Sequence, residues 1–266
     1  MLNDSIIITA GVFNKDYMKR LEKLDVLKNK LDSLRPLPPE VVKNLHEDLV
    51  LRWTYNSNAI EGNTLTLKET KVVLEGITVG GKTMREHFEA INHREAILYV
   101  EDIINRNEKF SSGQIKRIHS LILKNIDEDN AGVFRKVNVT VAGAENVPPD
   151  SYLVAGEMDN LERWYYGSVG KLHPVELAAR LHSDFVKIHP FIDGNGRTAR
   201  LLMNLELMKA GFPAVILPVE RRLEYYETLD RSHVYGDYEP FVELTAFLVE
   251  QSFNPYWHAL GIKPEI

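Results

Sequence analysis

Twelve consecutive residues, His189-Pro190-Phe191-Ile192-Asp193-Gly194-Asn195-Gly196-Arg197-Thr198-Ala199-Arg200, bring together an imidazole, a carboxylate, an amide, two glycines and two guanidiniums. A histidine can take up a proton near neutral pH. Asp193 is a hard oxygen ligand of the kind Mg²⁺ accepts beside substrate phosphates. Gly194 and Gly196 permit backbone angles that other residues resist and let a ligand approach the main chain. A helix that starts here aims its free N–H groups and its dipole at one spot, which suits phosphate. Arg197 and Arg200 are three apart, so they share a helix face and can fork onto further phosphate oxygens. The chemistry described is that of a polyphosphate, a metal and a hydroxyl about to lose its proton.

Two helices must hold this stretch. Ala178, Leu181, Phe185 and Ile188 precede it at helical spacing behind Pro174, and Leu201, Leu202, Leu205 and Met208 follow it up to Gly211. The polar cluster therefore sits at a junction of core helices. Upstream, residues 14–34 read as an amphipathic helix with Leu21, Leu24, Leu27, Leu31 and Leu34 on one stripe, broken by Pro36, Pro38 and Pro39. A second helix starts near Glu40 and runs through Val42, Leu45, Leu49 and Trp53 to Ser57-Asn58-Ala59-Ile60-Glu61-Gly62. Ser57 and Glu61 are four apart and share a face, and Gly62 suits the stop.

Capping boxes at Thr66/Glu69, Thr83/Glu86 and Ser111/Gln114 open further helices, with long segments expected over 84–106 and 112–125. His87, His93 and His119 show no metal-type spacing and read as helix-surface or core-edge residues; His173 and His182 read the same way. Val137, Val139 and Val141 alternate with Asn138, Thr140 and Ala142, a period-two β-branched pattern that predicts a small hairpin turning at Gly143. Later helices are expected over 152–166, within 220–230, where Tyr225 and Tyr226 lie, and over 237–253.

The chain has 266 residues, 44% hydrophobic and 26% charged, which fits an ordinary globular chain with one large core or one core plus an appendage. A net charge of −6 and a pI near 5.9 argue against a nucleic-acid partner bound through a broad basic face. With no cysteine there is no disulfide and no thiolate metal site, which fits a reducing cytoplasm. The run Ile6-Ile7-Ile8 is short, lacks a basic leader and lies near Asp4, so neither a signal peptide nor a membrane span is expected.

The 189–200 stretch resembles the active-site motif of Fic-domain proteins, HPFx[D/E]GNGRxxR, with every fixed position filled. The kinase-like Doc branch usually has lysine where Gly196 stands, and this chain does not. Ser57 to Gly62 is similar to that family's inhibitory motif, [S/T]xxxE[G/N], placed upstream of the core as in the class with an N-terminal inhibitory helix.

The resemblance implies a mainly α-helical Fic bundle with one small β-hairpin flap. It also implies an N-terminal helical region, 1–99, carrying the inhibitory helix, and a Fic core, 100–266, packed as one compact unit. The implied reaction moves AMP from ATP to a Tyr, Thr or Ser hydroxyl of a target protein, with His189 as base and Asp193 holding Mg²⁺. Gly194, Asn195, Gly196, Arg197 and Arg200 would hold the phosphates, and Tyr225 or Tyr226 the base. Ser57 and Glu61 would restrain Arg200, and a flap of Val137, Asn138, Val139, Thr140 and Val141 would dock the target by strand addition. No membrane or nucleic-acid partner is implied, and a homo-oligomer stays open. Two other readings remain: removal of AMP from a modified protein, and a non-catalytic nucleotide sensor.

Overall fold

The computed structural model describes residues 15–263, and the expectation made on Ile6-Ile7-Ile8 lies outside them. The helices are α1 (Lys15–Asp32), α2 (Pro39–Ile60), α3 (Leu67–Leu74), α4 (Met84–Asn105), α5 (Ser112–Leu123), α6 (Val154–Ser168), α7 (Pro174–Ile188), α8 (Asn195–Lys209), α9 (Arg222–Tyr235), α10 (Glu239–Ser252) and α11 (Asn254–Ala259). Each starts where its local chemistry permits. Thr66 and Thr83 make complete capping boxes with Glu69 and Glu86. The Ser111 box is half formed, because Ser111 caps the Gln114 N–H while the Gln114 amide turns to Glu108 at 3.0 Å. The expected last helix forms as α10, and a short α11 beyond it, with Pro255 in its first turn, was not expected.

α7 and α8 pack together at the centre, with α4 and α5 against α8 and α6 and α10 against α7. From Arg197 to Leu207 every residue of α8 is buried, the mark of a helix with neighbours all round. Two apolar clusters fill the spaces. In one, Val50, Trp53 and Ala96 join Ile118, Leu181 and Leu205. In the other, the α1 stripe Leu21, Leu24, Leu27 and Leu31 joins Val175, Leu207, Val242 and Val249. Both clusters draw on residues from either side of position 100, so the N-terminal helices share their cores with the rest. Among the described residues no helix is long and apolar enough to cross a membrane.

The expected hairpin does not form: no strand is present among the described residues, and 136–150 is an extended loop. Its backbone makes one internal hydrogen bond, Ala144 N–H to the Val141 carbonyl at 3.2 Å. The reason lies on the returning arm, where Pro148 and Pro149 have no N–H to give a ladder. Side chains close the loop instead. Arg135, buried, donates to the carbonyls of Val137 at 2.9 Å and Pro149 at 2.5 Å, and Asn138 bridges Asp150 and the Ser151 N–H.

Candidate active site

α7 ends on His189, whose φ of 50° and ψ of 59° place it in the left-handed region. That conformation is costly for a residue with a Cβ, so surrounding contacts must hold it. They do: its N–H donates to the Phe185 carbonyl, and its own carbonyl accepts from Arg135 Nε at 2.8 Å. The Arg135 N–H also donates to the Pro190 carbonyl. The same arginine thus anchors both the loop 136–150 and the turn carrying His189. Burial lowers the His189 pKa, partly opposed by the Val186 backbone and by Glu61 and Asp193. Burial thus favours the neutral ring, and its Nδ1 atom is buried without a well-formed hydrogen bond.

After the turn, Gly194 enters α8 with φ 78°, and no side chain caps the helix. Asn195 turns inward. Its Oδ1 accepts from the Phe191 N–H at 3.0 Å and its Nδ2 donates to the Phe191 carbonyl at 2.9 Å, closing the loop on itself. Its side-chain polar groups are committed to the protein. Arg197 is likewise committed: Nη2 donates to Asp193 at 3.1 Å and Nη1 lies 3.4 Å from Glu89. Arg85 reaches the other Asp193 oxygen. Burial pushes the Asp193 carboxyl up, but Arg197, the Gly194 N–H and Arg85 outweigh it and hold it below the usual range.

Arg200 meets the end of α2. Nε donates to Ser57 Oγ at 3.0 Å, and Nη2 donates to the Ser57 carbonyl and to Glu61 Oε1, both at 2.8 Å. Nη1 is 3.5 Å from the Tyr225 hydroxyl, which also faces His182 Nε2 at 3.2 Å. Burial works against the Arg200 charge, and Glu61 more than offsets it. Glu61 lies so close to α8 that a Cβ on Gly196 would stand 2.2 Å from its Oε1. The α2 terminus is itself tied to α4 through Asn58 and Asn63, which donate to backbone carbonyls at Glu89 and Glu86.

A cavity of about 310 Å³ opens beside these groups, bordered by Glu61, His189, Gly196, Tyr225, Tyr226 and loop residues 141–144. The structure thus brings His189, Gly196, Glu61 and both tyrosines to one space. Val137 to Thr140 lie outside that lining. Among the described residues no group of three or more potential metal-ligating side chains occurs. Asp193 is 40% exposed, one carboxylate that needs oxygens from elsewhere to complete a shell. This fits Mg²⁺, which is commonly held by one or two carboxylates with substrate phosphates and water.

Sequence reasoning passed over Arg85 and Glu89 and read His119 only as a helix-surface or core-edge residue. His119 lies in the α5 stripe Ile115, Ile118, His119, Ile122, where a polar ring in an apolar row is itself a signal. Burial pushes both His119 and His233 down to about 4. The fold keeps these rings neutral while the unfolded chain protonates near 6.5, so their contribution is full above that pH and is lost as pH falls towards 4. Thermal melts should show Tm level above about pH 7 and declining between about 6.5 and 4. A Tm unchanged down to about pH 4.5 would contradict buried neutral rings.

A helical scaffold whose central helix begins on a glycine turn, beside a histidine and a carboxylate, is the arrangement that defines the class of this chain. A model of the Fic/DOC family matches residues 109–207. A protein named Protein adenylyltransferase Fic from Nematostella vectensis is 38% identical over 92% of this chain and 57% of its own. One of the same name from Drosophila melanogaster is 35% identical over 97% of this chain and 52% of its own. Among solved structures, Fic-1 (aa134–508) from C. elegans superposes with a TM-score of 0.84 at 34% identity, over 92% of this chain and 73% of that one. A Fic domain containing signaling protein from Bacteroides thetaiotaomicron superposes with a TM-score of 0.83 at 29% identity, over 92% and 100%. The chain belongs to the Fic/DOC family. It spans about half the length of the curated relatives it matches.

Proposed function

We propose that this chain is a protein adenylyltransferase that moves AMP from ATP to a Tyr, Thr or Ser hydroxyl of a target protein and is restrained by Glu61. The observation that carries the reading is one cavity bordered by His189, by the start of α8 and by a carboxylate clamped to Arg200. The uncapped first turn of α8 offers backbone N–H groups to phosphate oxygens, helped by the helix dipole. Arg200 is the arginine with most to give once Glu61 leaves. Arg197 contributes by fixing Asp193 and reaches phosphate only by leaving that partner.

His189 takes the hydroxyl proton as the oxygen attacks the α-phosphorus. The bond from that phosphorus to the bridging oxygen breaks, and pyrophosphate departs with the electron pair. Mg²⁺, held by Asp193 and the phosphates, would offset charge growing on the phosphate oxygens. Tyr225 and Tyr226 border the part of the cavity away from α8 and suit the adenine ring.

The 137–141 backbone is not spent on a ladder, so a target segment can pair with it by strand addition. Val139→Pro should lower target modification about tenfold or more, through a lost N–H donor, while ATP affinity stays unchanged. Unaltered target turnover would remove the docking role from this loop.

The second reading, removal of AMP, is favoured by one feature: Glu61 is one-third exposed and borders the same cavity as His189, where it could orient a water. A nucleotide sensor has no use for the neutral His189. Transfer from α-labelled against γ-labelled ATP tests the proposal, which requires protein labelling by the α-label alone.

A further inference from the structure

His119 touches Phe191, the Asp193–Gly194 turn and the segment that begins at Gly132. Its ring is fully buried and stacks on Phe191, with centroids 3.6 Å apart and planes 3° apart. Nε2 lies 2.8 Å from the Asp193 carbonyl, and Nδ1 lies 2.9 Å from the Gly132 N–H. Both partners are backbone groups with fixed roles: a carbonyl can only accept and an N–H can only donate. The ring is therefore the neutral tautomer with its proton on Nε2.

Both contacted segments turn on left-handed glycines that press on α5. A Cβ on Gly194 would meet His119 Nε2 at 3.2 Å, and one on Gly132 would meet the Lys116 carbonyl at 2.7 Å. Gly132 lies three residues before Arg135, which grips His189 and the loop 136–150. One imidazole is thus bonded to the phosphate turn on one side and to the stem of the target loop on the other.

We propose that His119 is a positioning residue for adenylyl transfer, holding the Asp193–Gly194 turn at the start of α8 while the Gly132 N–H fixes the tautomer that donates to it. It touches neither nucleotide nor acceptor. It acts through Asp193, whose carbonyl it holds, and so through the start of α8. This inference rests on the adenylyl-transfer reading and adds a residue to it.

The two hydrogen bonds can be separated. Glutamine places an amide nitrogen at the same number of bonds from Cα as Nε2, so His119→Gln keeps donation to Asp193. Asparagine places an oxygen where Nδ1 stands, so His119→Asn keeps acceptance from Gly132 and loses Asp193. Both variants are made in the Glu61→Gly chain. Initial rates of AMP incorporation from α-labelled ATP with Mg²⁺ are measured, with the chain itself and cell-lysate proteins as acceptors.

A misplacement near 1 Å at such a site costs roughly a hundredfold. His119→Asn should therefore lose about a hundredfold in kcat with KM for ATP changed less than about threefold, and His119→Gln should stay within about fivefold of its parent in kcat. Equal loss in both variants, tracking a lowered Tm, would reduce His119 to a packing residue and overturn the proposal. So would parent-like rates in His119→Asn. If the Glu61→Gly parent itself incorporates no label, it is the adenylyl-transfer reading that has failed.

Discussion

Replacing Glu61 with glycine raises the rate of AMP transfer about a hundredfold. In the native chain its carboxylate is bound to Arg200 and lies against Gly196, where a phosphate would approach the first turn of α8. A triphosphate entering there would meet like charge and an arginine already taken, which would turn its α-phosphorus away from in-line attack. Positioning supplies several kcal/mol in such chemistry, and a displacement near 1 Å costs roughly a hundredfold. Glu61 is a helix-end residue, one-third exposed, and its removal deletes no core packing. Arg200 keeps two bonds to Ser57, so the variant folds with its guanidinium in place. Transfer equal to or below that of the native chain, with folding and ATP binding intact, would reject restraint by Glu61. The same variant separates the two directions of reaction, because removal of AMP needs the carboxylate and should stop without it.

His189→Ala in the Glu61→Gly chain lowers transfer by at least about a hundredfold while ATP still binds, since general-base catalysis contributes about 10² to 10⁴. The left-handed backbone at 189 complicates this variant, because alanine resists it. Asparagine tolerates that region, so His189→Asn retains the turn without an imidazole. Both variants should be inactive, and asparagine should keep the higher Tm. Robust labelling by either would take the base role away from His189. As burial lowers the His189 pKa, the acid limb of the rate profile should lie below the ordinary histidine range, with activity level through neutrality.

Much of the site could be read from the chain because its residues are close in sequence or one helix turn apart. Ser57 and Glu61 were placed on one face by their spacing of four, and both reach Arg200. The glycines that open α8 were legible as turn residues, and Gly194 adopts a positive φ. Other features depended on partners far along the chain. The inward turn of Asn195 depends on its fit to Phe191, and the pairing of Arg197 with Asp193 and Glu89 depends on how α4 crosses α8. His119 meets its partners only after the fold brings α5 under the turn, so spacing could not reveal them. The hairpin failed for a local reason. Alternating valines describe one arm, and the prolines opposite prevent the second from answering it.

Gly196 has a consequence for the wider family. The hydrogen it carries in place of a side chain leaves an opening at the start of α8 that the Glu61 carboxylate occupies, and a Cβ there would stand 2.2 Å from Oε1 and oblige that carboxylate to shift. Relatives of the Doc branch, with lysine at the corresponding place, would fill the opening with their own carbon chain. A side chain at that spot and the carboxylate seen here would compete for one space.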